Sequence, residues 1–253
     1  MAESEKNRIL EIEQGATKKI PDYIKSVLLG IKPVSSLDEK DVSSIDAILG
    51  SHEERSEIII IGNYIINKNL TTRVIAGNKH FFPDYKEGCD LGEYIVSLDL
   101  NNTASLEADE SVILLKNMQA GLLFGIPPEA IKQHCDFLLT KKKTGYNPNF
   151  DQLLRLIPKE DAFARNQMEL FMNLYNKSGN RGFQLKIQGG EMLWNLFNKY
   201  MPPKNDEEKS ILHRFLSSES YSVAGITWVQ FTDNQELQIF RDRLKRQWES
   251  LNK

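Results

Sequence analysis

Four isoleucines in succession, Ile58–Ile61, open the stretch EIIIIGNYIINKN. Side chains branched at Cβ are stiff at χ1 and suit a pleated strand better than a helix, so the run predicts a strand. Alternate side chains of a strand point to opposite faces, and this run is apolar on both, which predicts a central strand rather than an edge. The texture continues in LTTRVIAGN, KHFFPDY and EYIVSLDLNN, where Tyr94, Val96, Leu98 and Leu100 fall on one face and Glu93, Ile95, Ser97 and Asp99 on the other. With turn residues at Asn67–Asn69 and Gly77–Asn78, the expectation is a small, largely antiparallel sheet.

Helical signals flank it. Within residues 1–50, SEKNRILEIE offers Ser4 as a cap with Ile9 and Ile12 as anchors, and IPDYIKSVLLGI begins with a proline suited to a first turn. SSLDEKDVSSIDAILG spaces Val42, Ile45 and Leu49 helically before Gly50. From about 104 to 217 the period is again helical: Met168, Phe171, Met172 and Tyr175 form one stripe, and Leu193, Leu196, Phe197 and Tyr200 form the next. A short strand is predicted at Phe183–Ile187 and another in SVAGITWVQF. The chain then closes with an amphipathic helix bearing Leu237, Phe240, Leu244, Trp248 and Leu251, with Thr232 and Gln235 as a capping box. The class is α+β: a small largely antiparallel sheet flanked by N-terminal helices and a larger helical half, with a C-terminal strand and amphipathic helix. At 253 residues this is one domain, or two lobes divided as 1–103 and 104–253.

GLLFGIPPEAIKQHCDF, residues 121 to 137, reads as a corner between helices. Gly125 suits the end of one helix, Pro128 the first position of the next, and Ile126 with Ile131 a hydrophobic staple. Cys135 then shares an apolar face with Ile131, Leu138 and Leu139, while His134 is turned ~100° away.

Composition narrows the function classes. A hydrophobic fraction of 40% with 26% charged residues is that of an ordinary globular protein. A net charge of −3 argues against a surface built throughout for nucleic acid. No apolar run approaches the ~20 residues of a membrane helix. The charged N-terminus lacks a secretory apolar region, so the expectation is a cytoplasmic protein, with leaderless secretion left open. Cys89 and Cys135 are expected as reduced thiols and cannot by themselves build a structural zinc site.

Two groupings are candidates for chemistry, and the others read as structure. Cys89, in FFPDYKEGCDLGEY with His80 nine residues upstream, is the candidate nucleophile of a thiol-dependent hydrolase or transferase, its thiolate stabilised by the imidazole. The carboxylates Asp84, Asp90 and Glu93 beside it lack calcium-loop spacing, so they read as a hydrated acidic loop and no metal is expected. His52 and His213 stand alone as surface histidines. Lys186 in QLKIQ has the lysine of some metal-dependent nucleases without an upstream strand-borne acid, and GNRG and QGGE lack a phosphate-cradling frame, so no cofactor is expected. Lys141, Lys142 and Lys143 complement the negative end of a helix, and with Tyr146 they form a candidate patch for an anionic partner. The leading expectation is a non-catalytic interaction or regulatory protein that binds a macromolecular partner, a protein by preference, through its helical half. The alternatives are the Cys89 enzyme and a nucleic-acid-binding protein.

Overall fold

The computed structural model describes residues 20–38, 57–102, 104–178, 185–186 and 188–251. Within these the architecture is α+β. Helix α1, Asp22–Leu28, starts at Pro21 as expected. Strand β1, Val34–Ser36, follows where a helix was predicted, because Val34 is drawn into the sheet opposite Ile66. Leu37 and Asp38 follow without helix, and residues 39–50 of that predicted helix, with the one at SEKNRILEIE, lie outside the described residues.

Strands β2, Ile58–Ile61, and β3, Tyr64–Asn67, form a hairpin around Gly62–Asn63. The sheet order is β1-β3-β2, all antiparallel. The isoleucine run is therefore an edge strand, and the central place falls to β3, all four of whose residues are buried. Its apolarity on both faces still has a cause, since both faces are covered. Ile58, Ile60 and Ile65 meet Ile24 and Val27 of α1. Ile59, Ile61, Tyr64 and Ile66 face a second cluster.

That second cluster is built in part by helices from segments predicted as strands. Helix α2, Lys68–Gly77, begins where a hairpin turn was expected: Asn67 caps it, its Oδ1 accepting from the Leu70 N–H at 3.0 Å. Thr71, Val74 and Ile75 carry strand propensity but helical spacing, and Thr71 and Ile75 are buried. A 3₁₀ turn at Lys79–Phe81 replaces the next strand. Helix α3, Leu91–Leu98, replaces the last: Asp90 Oδ1 accepts from the Glu93 N–H at 2.9 Å, and Leu91, Ile95 and Leu98 turn inward while Val96 is left exposed. Tertiary packing and a capping side chain outweigh propensity at both places.

Helix α4, Glu110–Leu123, turns at Gly125, with φ +75°, into α5, Pro128–Thr144. Pro128 takes the first helical position, and Ile126, Ile131 and Cys135 enter the sheet-facing cluster, as the corner reading expects. Helices α6, Phe150–Leu156, α7, Ala162–Ser178, α8, Gly190–Tyr200, and α9, Asp206–Ser217, build a third cluster around Phe150, Met168, Phe171, Leu193 and Phe197. Both predicted stripes point into it. Leu185 and Lys186 are helical rather than extended, and the other residues of the predicted strand, Phe183, Gln184 and Ile187, lie outside the described residues.

SVAGITWVQF holds parts of two strands. β4, Glu219–Val223, and β5, Ile226–Gln230, are joined by Ala224 and Gly225, both at positive φ, the geometry that matches the twist of a two-residue hairpin. Helix α10, Gln235–Leu251, then lays Leu237 and Leu244 against this hairpin and α5. Its cap is Asn234, which accepts from the Leu237 N–H at 2.9 Å, not Thr232.

Thr232 is held elsewhere. The buried Gln133 of α5 accepts from the N–H groups of Phe231 and Thr232 through Oε1, each at 3.1 Å, and donates through Nε2 to the Thr232 carbonyl at 3.1 Å. Its own carbonyl accepts from Arg214 of α9 at 2.8 Å. The guanidinium lies 5.5 Å from the Phe137 ring and 5.2 Å from that of Phe231, and these rings stack at 4.5 Å.

Three substitutions test these contacts through stability. Gln133→Met keeps volume but orphans two backbone donors, so urea unfolding is expected to lose about 2–4 kcal/mol; an unchanged midpoint removes Gln133 as the clamp. A Cβ on Gly225 would come within 2.5 Å of the Tyr23 Cα, so Gly225→Ala is expected to destabilise by about 2–4 kcal/mol. Gly77→Ala, into open space, is expected to shift stability by less than about 1 kcal/mol.

Candidate functional site

Helix α7 is apolar on two sides. Ala164, Met168 and Phe171 are buried, whereas Phe163, Leu170 and Leu174 are 74%, 62% and 48% exposed. With Gln167 the outward residues run 163, 167, 170, 174, the four-three-four spacing that keeps side chains in line along a helix. Asp161 fixes the start of α7, its Oδ1 accepting from the Ala164 N–H at 3.1 Å. Its Oδ2 accepts from Lys199 Nζ at 2.7 Å and from the Tyr200 hydroxyl, and these bonds hold the carboxyl down at about 2. The C-terminal end of α8 is thereby tied to the N-terminal end of α7, while Gly189, before α8, lies against Phe171. The two helices run antiparallel.

Between them opens a groove of about 440 Å³, walled by Phe163 and Gln167 and floored by Met192 and Leu196, with Glu191 and Asn195 at the rim. Arg165 and Glu169 neutralise one another at 3.0 Å, and the exposed neighbours Asn166 and Asn173 are uncharged. Covering a Phe or Leu of this exposure is worth about 1–2 kcal/mol, so a complementary apolar surface gains several from this face. The reading from sequence missed it. The signal was a second apolar line within AFARNQMELFMNLY, beyond the stripe assigned to the core.

The residues singled out from the sequence have separate local surroundings. Cys89 is exposed on its loop, its N–H donating to the Lys86 carbonyl at 3.1 Å. His80 lies with its ring 3.8 Å from that of Phe81, and among the described residues no hydrogen bond joins it to Cys89. Asp90 is occupied as the α3 cap. Tyr94 beside this loop has its hydroxyl pushed up to about 12, by burial first and then by the negative field of Asp84. Among the described residues no group of three His, Cys, Asp or Glu side chains is placed to hold a metal ion. His213 is exposed on α9, and His52 lies outside the described residues.

The three lysines close α5 as its charge complement, and each is engaged differently. Lys141 Nζ lies 5.3 Å over the Phe137 ring, Lys142 donates to the Leu106 carbonyl at 3.0 Å, and Lys143 pairs with Glu207 at 2.6 Å. Tyr146 corrects the stacking expectation: it is buried and its hydroxyl donates to the Met201 carbonyl at 2.9 Å, so its ring is core. Lys186 is buried, donates to Ser218 Oγ at 2.5 Å, and is pushed down to about 8 by burial. His134, half-buried 6.3 Å from the Phe231 ring, has its pKa lowered by burial and by Lys141. Comparison with known protein families, with curated proteins and with solved structures yields no match for this chain.

The two thiols are expected to separate in iodoacetamide labelling of the native protein at neutral pH. Cys89 is exposed, whereas Cys135 is buried with its thiol pushed up to about 11, so Cys89 labels first and Cys135 only on unfolding. Labelling of Cys135 at the same rate contradicts its position in the sheet-facing cluster.

Proposed function

We propose that this protein acts by binding a protein partner through the outward face of α7 and the adjoining groove against α8, and that the partner contributes an amphipathic α-helix. The observation that carries the reading is the exposure of Phe163, Leu170 and Leu174 in one line on a helix whose adjoining face, about 100° round the axis, is already in the core. A helix with apolar residues beyond its core-facing stripe has surface left for a further neighbour. The line spans eleven residues of rise, roughly 16 Å, which is about three turns of a partner helix. Its four-three-four spacing matches anchors at i, i+4 and i+7 on such a helix. A straight groove between antiparallel helices offers a third helix a ridge-into-groove seat, and Met192 on its floor adapts to side chains of different shape. The uncharged amides beside the line support an apolar rather than an ionic encounter. A cytosolic setting goes with this reading, supported by two unpaired cysteines.

The test is selection of a randomised helical peptide library on the immobilised chain, followed by calorimetry of the enriched peptides. Enriched sequences are expected to carry apolar residues at i, i+3 or i+4, and i+7, and Leu170→Glu is expected to weaken them by at least about tenfold. Ile239→Glu, the same change at an exposed residue of α10, is expected to leave binding intact. Peptides without a helical period, or binding indifferent to Leu170→Glu, overturn the proposal. So does a concentration-dependent dimer in sedimentation that Leu170→Glu abolishes, which would give the face to a second copy of the chain.

A further inference from the structure

A different place in the fold, sharing no residue with the α7–α8 groove, carries an unbalanced charge. Lys32 follows α1 and precedes Pro33, and its side chain runs inward where three parts of the chain converge: β1, the corner between α4 and α5, and the tip of the β4–β5 hairpin. Gly125 of the corner approaches its stem, close enough that a Cβ at that position would stand 3.6 Å from Lys32 Cγ, and Lys32 is 7% exposed. The ammonium donates to Ser35 Oγ at 3.2 Å and, at the long distance of 3.4 Å, to the Gly225 carbonyl, and it lies 5.5 Å over the Phe124 ring. A hydroxyl, a carbonyl and a ring are all uncharged. Buried charges are ordinarily matched by a counter-charge, because neutral dipoles replace only part of the lost hydration. Burial accordingly pulls the Lys32 pKa down to about 8.

The ammonium borders a cleft of about 330 Å³, large enough for a small molecule and too small for a folded segment. Ser35, Ser36 and Thr227 bring hydroxyls to its lining, and Phe124 and Ile126 bring an apolar wall. Phosphate groups are held by several donors at once, commonly an arginine fork or a run of backbone N–H groups. Beside Asp38, its one acid, this lining brings one cation with hydroxyls, which suits a singly charged anion. Burial alone accounts for the Lys32 shift, so Asp38 does not already match the ammonium. We propose that the cleft is a binding site for a small organic carboxylate, its oxygens accepting from Lys32 and a neighbouring hydroxyl and its apolar part resting against Phe124 and Ile126.

The proposal is independent of the helix-binding face and is tested on the full chain with phenylacetate as the probe, phenylacetamide as its neutral counterpart, and inorganic phosphate. Calorimetry at pH 7 is expected to give saturable binding of phenylacetate, with the amide and phosphate each weaker by at least about tenfold. Lys32→Met, which keeps the stem and removes the charge, is expected to abolish binding while thermal unfolding stays cooperative. The binding-competent form is the ammonium, present below its pKa near 8 and lost above it, so affinity is expected to fall about tenfold between pH 7 and pH 9. Tyr23 and Asp38 are the other titratable groups lining the cleft. The pH step should therefore persist in Tyr23→Phe and Asp38→Asn. No saturable binding at about 10 mM, amide or phosphate binding as tight as the acid, or affinity flat from pH 7 to pH 9 overturns the assignment; the wild-type arms decide it even where the methionine variant fails to fold.

Discussion

One uncharged side chain holds the C-terminal hairpin and helix to the rest. Gln133 lies on α5, the helix that touches α4, α9, β5 and α10. A primary amide accepts and donates at once, and Gln133 uses both capacities on the irregular backbone at Phe231 and Thr232. Backbone there has no ladder partner, so without the amide two donors and an acceptor would need water or another group. The residues fixed in this way stand between β5 and α10. Holding them sets both the direction in which the hairpin arrives and that in which the final helix leaves. Arg214 adds a charged donor to the same turn of α5 and lies beside the stacked Phe137 and Phe231 rings, so α9 is registered against the same point.

The sheet depends on the same device at its other end. Three strands of three or four residues are too few to stand alone, and stability has to come from the layers on each face. Asn67 joins those layers. Its Oδ1 starts α2, which contributes to one face, while its Nδ2 donates at 3.3 Å to the Val27 carbonyl of α1, which covers the other. Thr71, one turn into α2, donates at 3.2 Å to the Pro33 carbonyl just before β1. Short polar side chains at the ends of elements thus fix angles between layers whose apolar faces supply the attraction.

Legibility in the sequence followed the reach of the interactions. Where the local pattern and the tertiary demand agree, as in the stripes of α7 and α8, the corner at Gly125 and Pro128, and the stripe of α10, element and inward face were both readable. LTTRVIAGN and EYIVSLDLNN were misread as strands because Thr71, Thr72, Val74, Ile75 and Val96 favour extended backbone in isolation. The decisive signs there were Asn67 and Asp90 as caps, the latter with Glu93 three residues on, a pairing visible in the sequence. The edge position of β2 was not readable from Ile58–Ile61, since apolarity on both faces reports cover above and below and says nothing about neighbours in the plane. Lys32 gave no sign either: its burial arises from residues about 90 and 190 positions away, at Phe124 and Gly225.

Functional sites tend to be where a sequence departs from the rules the rest of it obeys. This chain matches its buried backbone at Phe231–Thr232 with a dedicated amide, caps α2, α3, α6, α9 and α10 with Asn or Asp side chains, and buries two stripes of α7 and α8 in a shared core. Against that background, Phe163 in solvent and a buried ammonium among neutral groups are two departures of opposite kind. The first is relieved by removing apolar surface from water, which needs extent and shape; the second is relieved by a negative charge, which needs one atom group at one point. No single ligand meets both demands, because the residues lining the two places are disjoint. The proposed macromolecular contact and the proposed small-anion site are therefore separable by mutation, and each departure keeps its own cause.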